Sequence, residues 1–114
     1  MAALGQTVAI SPGQSIKLNS ASVTGAGTLD FYLTDPANAG DISAIFQVVG
    51  TLTTLTAALQ VALDGVTFVD YLAAAAFLTT ATSFKLVSPI LKGAKWRINI
   101  TVSTGGQDFW ITCN

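Results

Sequence analysis

Two alternating segments meet at Asp64-Gly65, and this junction constrains the fold more than any other part of the chain. An Asp-Gly pair between alternating apolar stretches is the strongest short-range signal for a β-hairpin. Both central residues of a two-residue turn need positive φ, which glycine adopts freely and aspartate tolerates. Residues 55–71 are therefore predicted to form two antiparallel strands. The predicted cross-strand pairs are Leu63 with Val66, Val61 with Phe68, Leu59 with Asp70 and Ala57 with Leu72.

This pairing gives the hairpin one apolar face and one neutral face. The apolar face resembles a protein core and comprises Leu55, Leu59, Val61, Leu63, Val66, Phe68 and Leu72. The second face is uncharged and comprises Thr56, Ala58, Gln60, Ala62, Thr67, Val69 and Tyr71. Solvent exposure alone does not explain an uncharged, half-apolar face, so we expect this face to contact another protein. In the alternative, a three-residue loop with a bulge shifts the pairing by one residue. Phe68 then shares a face with Gln60, and the two faces of the second strand exchange.

The rest of the chain also alternates with a period close to two. Short strands are predicted at residues 7–10, 15–19, 28–34, 42–49, 83–87, 94–103 and 108–113. Residues 42–49 are apolar on both faces, which predicts a central strand covered on both sides. The four alanines at 73–76 predict a short helical turn or a loop. Eight to nine short strands between turn signals are typical of an all-β, antiparallel β-sandwich, either immunoglobulin-like or jelly-roll-like.

A length of 114 residues fits one domain, spanning residues 1–114. Residues 1–6 show no clear period and are predicted to form a flexible arm. The first five residues lack the basic and long apolar segments of a secretory signal, so synthesis in a cytoplasm is expected. No stretch approaches the roughly 18 consecutive apolar residues of a membrane helix.

The chain is poor in charge, with 10% charged residues against 51% hydrophobic residues and a net charge of −1. Such a balance argues against nucleic acid or an anionic membrane as a partner. It also removes the electrostatic repulsion that keeps small proteins apart, so self-association is favoured. We therefore expect a homo-oligomer.

The sequence offers little for catalysis. It contains no histidine and no glutamate, so histidine-based dyads and the usual Cys/His zinc sites cannot form within one chain. Asp64 and Asp70 are the nearest pair for aspartate-based hydrolysis, but a turn and a strand end explain them more simply. Asp35 and Asp41 bracket a loop and carry oxygen ligands suited to calcium, yet turn formation again accounts for them better. We predict a non-enzyme without cofactor or metal, in which the single cysteine, Cys113, is a small apolar residue of the last strand.

The aromatic residues divide by their phase within strands. Trp96 is in phase with its apolar neighbours and is predicted to lie in the core, whereas Trp110 is out of phase and is predicted to be exposed or in an interface. Tyr32, Tyr71 and Trp110 also offer a stacking surface for a sugar. Lys92, Lys95 and Arg97 are too few for nucleic-acid binding. The residues predicted to contact a partner protein are Val69, Tyr71, Arg97 and Trp110.

Two segments resemble parts of known viral proteins. Residues 59–68, LQVALDGVTF, resemble the hairpin of small β-sandwich proteins of tailed-phage virions, in which a strand, an Asp-Gly turn and a Thr-aromatic pair follow one another. Residues 93–100, GAKWRINI, resemble a later strand of such domains, where an arginine alternates with apolar residues. The charge-poor composition, rich in Ala, Thr and Gly, is similar to that of capsid decoration (cement) proteins.

This resemblance implies a structural protein on the capsid surface of a virion. Such a protein binds the outside of an icosahedral shell, often as a trimer, and clamps neighbouring subunits of the major capsid protein against internal pressure. The alternative is a carbohydrate- or protein-binding β-sandwich module of a phage tail or fibre. That module would use Tyr32, Tyr71 or Trp110 as its stacking surface.

Overall fold

A computed structural model of the chain describes residues 7–11, 13–20, 23, 25–33, 42–50, 54–79, 82–90, 94–104 and 106–113. The predicted arm at residues 1–6 and the candidate calcium ligands Asp35 and Asp41 lie outside these ranges. The described strands are β1 Thr7–Ile10, β2 Ser15–Lys17, β3 Gly27–Leu33, β4 Ile42–Gly50, β5 Thr54–Ala62, β6 Val69–Leu72, β7 Ser83–Ile90, β8 Lys95–Thr104 and β9 Gln107–Cys113. A 3₁₀ turn at Ala74–Ala76 confirms the short helical turn predicted from the alanine run.

The strands form two sheets packed as a β-sandwich, which confirms the predicted fold class. The five-stranded sheet has the order β1-β3-β8-β5-β6, and the four-stranded sheet has the order β2-β9-β4-β7. Among the described strand pairs, β1 and β3 run parallel and the others run antiparallel. Strand β4 is central, as expected, because it pairs with both β9 and β7.

Aromatic side chains join the two sheets. The rings of Phe31 on β3 and Phe46 on β4 have centroids 5.6 Å apart across the sandwich. Phe77, which follows the 3₁₀ turn, packs edge-on against Phe46 at 5.3 Å. Trp96 and Cys113 are buried, as the alternation predicts. Burying one large apolar side chain contributes roughly 1.5–3 kcal/mol, so this layer stabilises the sandwich strongly.

Strand β7 is longer than expected. The Ser88-Pro89 pair was predicted to end this strand at residue 87, but it continues to Ile90. Strand β7 lies at the edge of the four-stranded sheet, where one side of the strand has no partner within the described sheet. Because proline cannot donate a ladder hydrogen bond, an edge strand is where a sheet tolerates it. The prediction was wrong because Pro89 lies on an edge strand and at a register irregularity, between the pairs Ala44–Val87 and Ile42–Ile90, where a sheet accommodates proline.

A buried asparagine fixes the start of β9. Asn19 Oδ1 accepts a hydrogen bond from the Phe109 N–H at 2.8 Å, and Asn19 Nδ2 donates to Asp108 Oδ1 at 2.9 Å. Asn19 is almost fully buried, so these bonds satisfy polar atoms that water does not reach. They position β9, which carries Trp110 on the outer side of its sheet.

Candidate functional site

The connection between β5 and β6 differs from the predicted two-residue turn. The two strands are joined through residues 63–68, and their register pairs Val61 with Val69 and Gln60 with Asp70. This pairing is shifted by one residue from the main prediction, so the faces of β6 exchange as in the alternative. The shift runs opposite to that of the three-residue loop Leu63-Asp64-Gly65, because the observed loop is longer. A further irregularity follows, because Leu59 pairs with Leu72.

The side chain of Asp64 explains the wider turn. Its Oδ1 accepts hydrogen bonds from the backbone N–H groups of Val66 at 2.9 Å and Thr67 at 2.7 Å. A two-residue turn would have used the Val66 N–H to pair with Leu63, so the carboxylate competes directly with that hairpin. The N–H groups of Thr67 and Val66 lower the pKa of Asp64, because they stabilise its ionised form.

The shifted register exchanges the faces of β6. Val69 and Tyr71 now lie on the inner side of the sheet, and the Tyr71 ring packs edge-on against Trp96 with centroids 5.1 Å apart. The predicted neutral face, which placed Val69 and Tyr71 beside Gln60, is therefore wrong. Phe68 lies instead on the outer side, beneath the guanidinium of Arg97.

An open groove of about 490 Å³ lies where the inner side of β6 extends beyond the core. Its walls are mainly apolar, and they comprise Val61, Leu63, Asp64, Thr67, Val69, Tyr71 and Trp96. We call this the apolar groove. The buried ring of Trp96 forms one of its walls.

The outer side of the five-stranded sheet is polar. One register row crosses all five strands through Thr7, Asp30, Arg97, Gln60 and Asp70. Arg97 Nε donates to Gln60 Oε1 at 2.7 Å, and Gln60 Nε2 donates to Asp70 Oδ1 at 2.8 Å. We call this row, together with the adjacent Tyr32 and Lys95, the polar outer face.

The outer side of the four-stranded sheet carries exposed apolar side chains on β4 and β7. The exposed Gln47 lies among them, and β2 and β9 add polar side chains to this side. Phe84 and Leu86 on β7 are 71% and 55% exposed, and Ile45 and Val49 on β4 are also exposed. Residues in direct register share a side of a sheet, so the pairings place Trp110 beside Gln47 in the same row as Phe84. We call the surface formed by Ile45, Val49, Phe84, Leu86 and Trp110 the apolar outer face. The prediction that β4 is covered on both sides is wrong, because this outer side has no second layer within the described residues.

The four predicted contact residues do not form one surface. Val69 and Tyr71 meet at the apolar groove, Arg97 lies on the polar outer face, and Trp110 lies on the apolar outer face of the other sheet. Trp110 is half-buried and points away from the core, in agreement with its phase. Only Val69 and Tyr71 are brought together.

Sequence reasoning did not single out Phe84 and Leu86, which the structure shows exposed. The available signal was the doubly apolar strand β4, whose second face includes Ile45. Leu86 pairs with Ile45 across β4 and β7, so the two strands extend one apolar surface. An apolar second face on a central strand indicates either a third layer or an interface.

The aspartates are engaged in local structure. Asp64 closes its own turn, and Asp70 accepts a hydrogen bond from Gln60. The described part of the chain contains no group of three or more metal-binding side chains of the His, Cys, Asp or Glu type. Within the same residues, no helix has the length and apolar character needed to span a membrane.

Comparisons of this chain with protein-family models, with curated proteins and with solved structures gave no match. Its function is therefore argued from its own surfaces. Of these, the apolar outer face carries Phe84, the most exposed large apolar side chain of the described strands.

Proposed function

We propose that this chain is a structural virion protein that binds and stabilises the outer surface of a phage capsid, and that it docks through the apolar outer face. The exposure of Phe84, Leu86 and Ile45 on one side of one sheet carries the proposal. Leu86 pairs with Ile45 and shares a strand face with Phe84, so these side chains form one contiguous apolar surface. Contiguous exposed apolar surfaces are often interaction sites on soluble proteins.

The geometry of the patch suits a repeated contact. The apolar outer face is built on paired strands, so its side chains are held in place before a partner arrives and little ordering entropy is lost on docking. Each large apolar side chain that becomes fully buried contributes roughly 1.5–3 kcal/mol. A few such residues per contact, multiplied by the symmetry of a shell, are enough to hold a lattice.

The sequence resemblance supports the capsid as the lattice and a trimer as the form that binds it. The low net charge supports self-association, because near-neutral surfaces repel one another weakly. The major capsid protein is therefore the proposed partner, and the capsid surface is the proposed location.

The proposal is tested by sedimentation velocity over a micromolar concentration series and by co-sedimentation with capsids of the phage that encodes the chain. We expect oligomers and capsid binding for the unmodified protein. The variant Phe84→Ser should weaken both at least tenfold while the thermal unfolding transition stays within a few degrees.

A matched control is Val66→Ser, which removes an exposed apolar side chain from the loop between β5 and β6. This variant should bind like the unmodified chain. A protein that stays monomeric and does not bind capsids, or a Phe84→Ser variant that binds normally, would refute the proposed role of the apolar outer face.

A further inference from the structure

We propose that the polar outer face, on the opposite side of the sandwich from the apolar outer face, binds a neutral saccharide. The ring of Tyr32 provides the stacking surface, and the row through Asp30, Arg97 and Gln60 provides the hydrogen bonds. The inference does not depend on capsid binding, because it concerns the other sheet.

The row is ordered in advance by its own hydrogen bonds. Gln60 accepts from Arg97 and donates to Asp70, so three side chains on adjacent strands fix one another. Arg97 is held from a second direction by Phe68, whose ring centroid lies 4.1 Å from the guanidinium carbon. A polar surface fixed in this way loses little side-chain entropy when a ligand binds.

The charges of this face nearly balance. Asp30 and Asp70 carry two negative charges, Lys95 and Arg97 carry two positive charges, and Asp64 in the lining of the adjacent depression adds one negative charge. A charged ligand gains little net attraction from such a surface. A sugar hydroxyl both donates and accepts hydrogen bonds, so it matches alternating carboxylate and cationic groups. Charge balance with dense hydrogen-bonding capacity therefore favours a neutral polyol over an anion or a cation.

One acceptor in the row is unsatisfied. Asp30 Oδ1 is buried and has no hydrogen-bond partner among the described residues, although Asp30 stands in register with Arg97. The Arg97 Nε is directed to Gln60 instead. The row therefore retains one unused hydrogen-bond acceptor beside Arg97.

A depression beside the row accommodates a ring. It has a volume of about 490 Å³, and its lining includes Thr7, Tyr32, Ala62, Ala94 and Lys95. Tyr32 is 43% exposed, whereas Ala62 and Ala94 in the same lining are buried. The C–H groups on one side of a pyranose form an apolar patch that packs on an aromatic ring. Tyr32 and Gln60 lie on strands about 10 Å apart and two residues apart along the strand direction, a separation that a short oligosaccharide can span.

Affinity electrophoresis tests the proposal with gels containing dextran, mannan, xylan, galactan or mixed-linkage β-glucan, followed by a glycan microarray. We expect retardation by at least one neutral polysaccharide and little change with added salt. Tyr32→Ala and Gln60→Ala should each weaken binding at least tenfold, whereas Tyr32→Phe should keep most of it, because the stacking ring remains.

The control Gln14→Ala changes an exposed side chain in the connection between β1 and β2 and should bind like the unmodified chain. Thermal unfolding of each variant separates loss of binding from loss of fold. The proposal is overturned if the unmodified chain binds no neutral glycan in either format. It is also overturned if it binds only anionic glycans, or if folded Tyr32→Ala binds normally.

Discussion

The guanidinium of Arg97 on β8 lies over the ring of Phe68, with its Cζ 4.1 Å from the ring centroid. Phe68 is the last residue before β6, so this contact fastens the loop at residues 63–68 to the outer side of the sheet. Arg97 also donates to Gln60, which in turn donates to Asp70 on β6. Arg97 therefore links β5, the loop at residues 63–68 and β6, which follow one another in the chain.

A double-mutant cycle tests this link. Phe68→Leu removes the aromatic face, and Arg97→Met removes the charge while keeping a long side chain. A cation–π pair of this exposure is worth about 0.5–1 kcal/mol, and we expect a coupling free energy in that range from urea unfolding of the two single variants and the double variant. Strictly additive changes would show that the two side chains do not interact.

Much of the fold could be predicted from the alternation of side chains. The period of two correctly placed Trp96 inward and Arg97 outward on β8. The register of the β5–β6 hairpin could not be predicted in this way, because Asp64 competes for the backbone N–H of Val66 that a two-residue turn needs. The Asp64-Gly65 signal therefore correctly indicated a connection between two strands, but it did not predict the length of the turn.

The open surface was harder to predict than the strands. Alternation shows that Phe84 and Leu86 share a face, but not whether another layer covers that face. Whether another layer covers this face depends on how many sheets pack together in the complete fold, which is a property of the tertiary structure. Only the apolar second face of β4, at Ile45 and Val49, carried a hint of it.

The two tryptophans should respond differently to truncation. Trp96 is 1% exposed and contacts Tyr71, so Trp96→Ala should cost about 3–5 kcal/mol of unfolding free energy through lost burial and the cavity left behind. Trp110→Ala should cost about 1 kcal/mol, because its ring lies on the outer side of β9, while oligomerisation weakens. Urea unfolding with sedimentation velocity measures both. A Trp110→Ala variant that fails to fold would place Trp110 in the core.

Lys85 lies on β7, an edge strand of the four-stranded sheet. It pairs with the buried Phe46, so this lysine points toward the inner side of the edge strand β7. An inward charge on an edge strand discourages pairing with another sheet. Lys85→Val should therefore speed aggregation, measured by light scattering at constant temperature, without lowering the unfolding midpoint.

The matched control for the lysine is Lys95→Val. It removes the same charge from β8, a strand paired on both sides. Faster aggregation in Lys85→Val alone supports edge protection. Equal aggregation rates in the two variants would show that the effect comes from the change in net charge and not from the position of Lys85.

The hydrogen bonds of Asp64 should make the loop sensitive to acid. The N–H groups of Thr67 and Val66 hold the pKa of Asp64 below its ordinary value in the folded chain. A lowered folded pKa stabilises the fold above the ordinary pKa of aspartate, and that contribution is lost as the pH falls through the folded pKa. The unfolding free energy should therefore decline with acidification in this window. Asp64→Asn keeps an acceptor oxygen but cannot titrate. The unfolding free energy of this variant should therefore decline less with acidification, by the amount that Asp64 contributes in the unmodified chain. Urea unfolding across a pH series, with the Asp64 carboxyl followed by NMR, measures both quantities, and identical pH profiles for the two proteins would show that the Asp64 turn does not couple to stability.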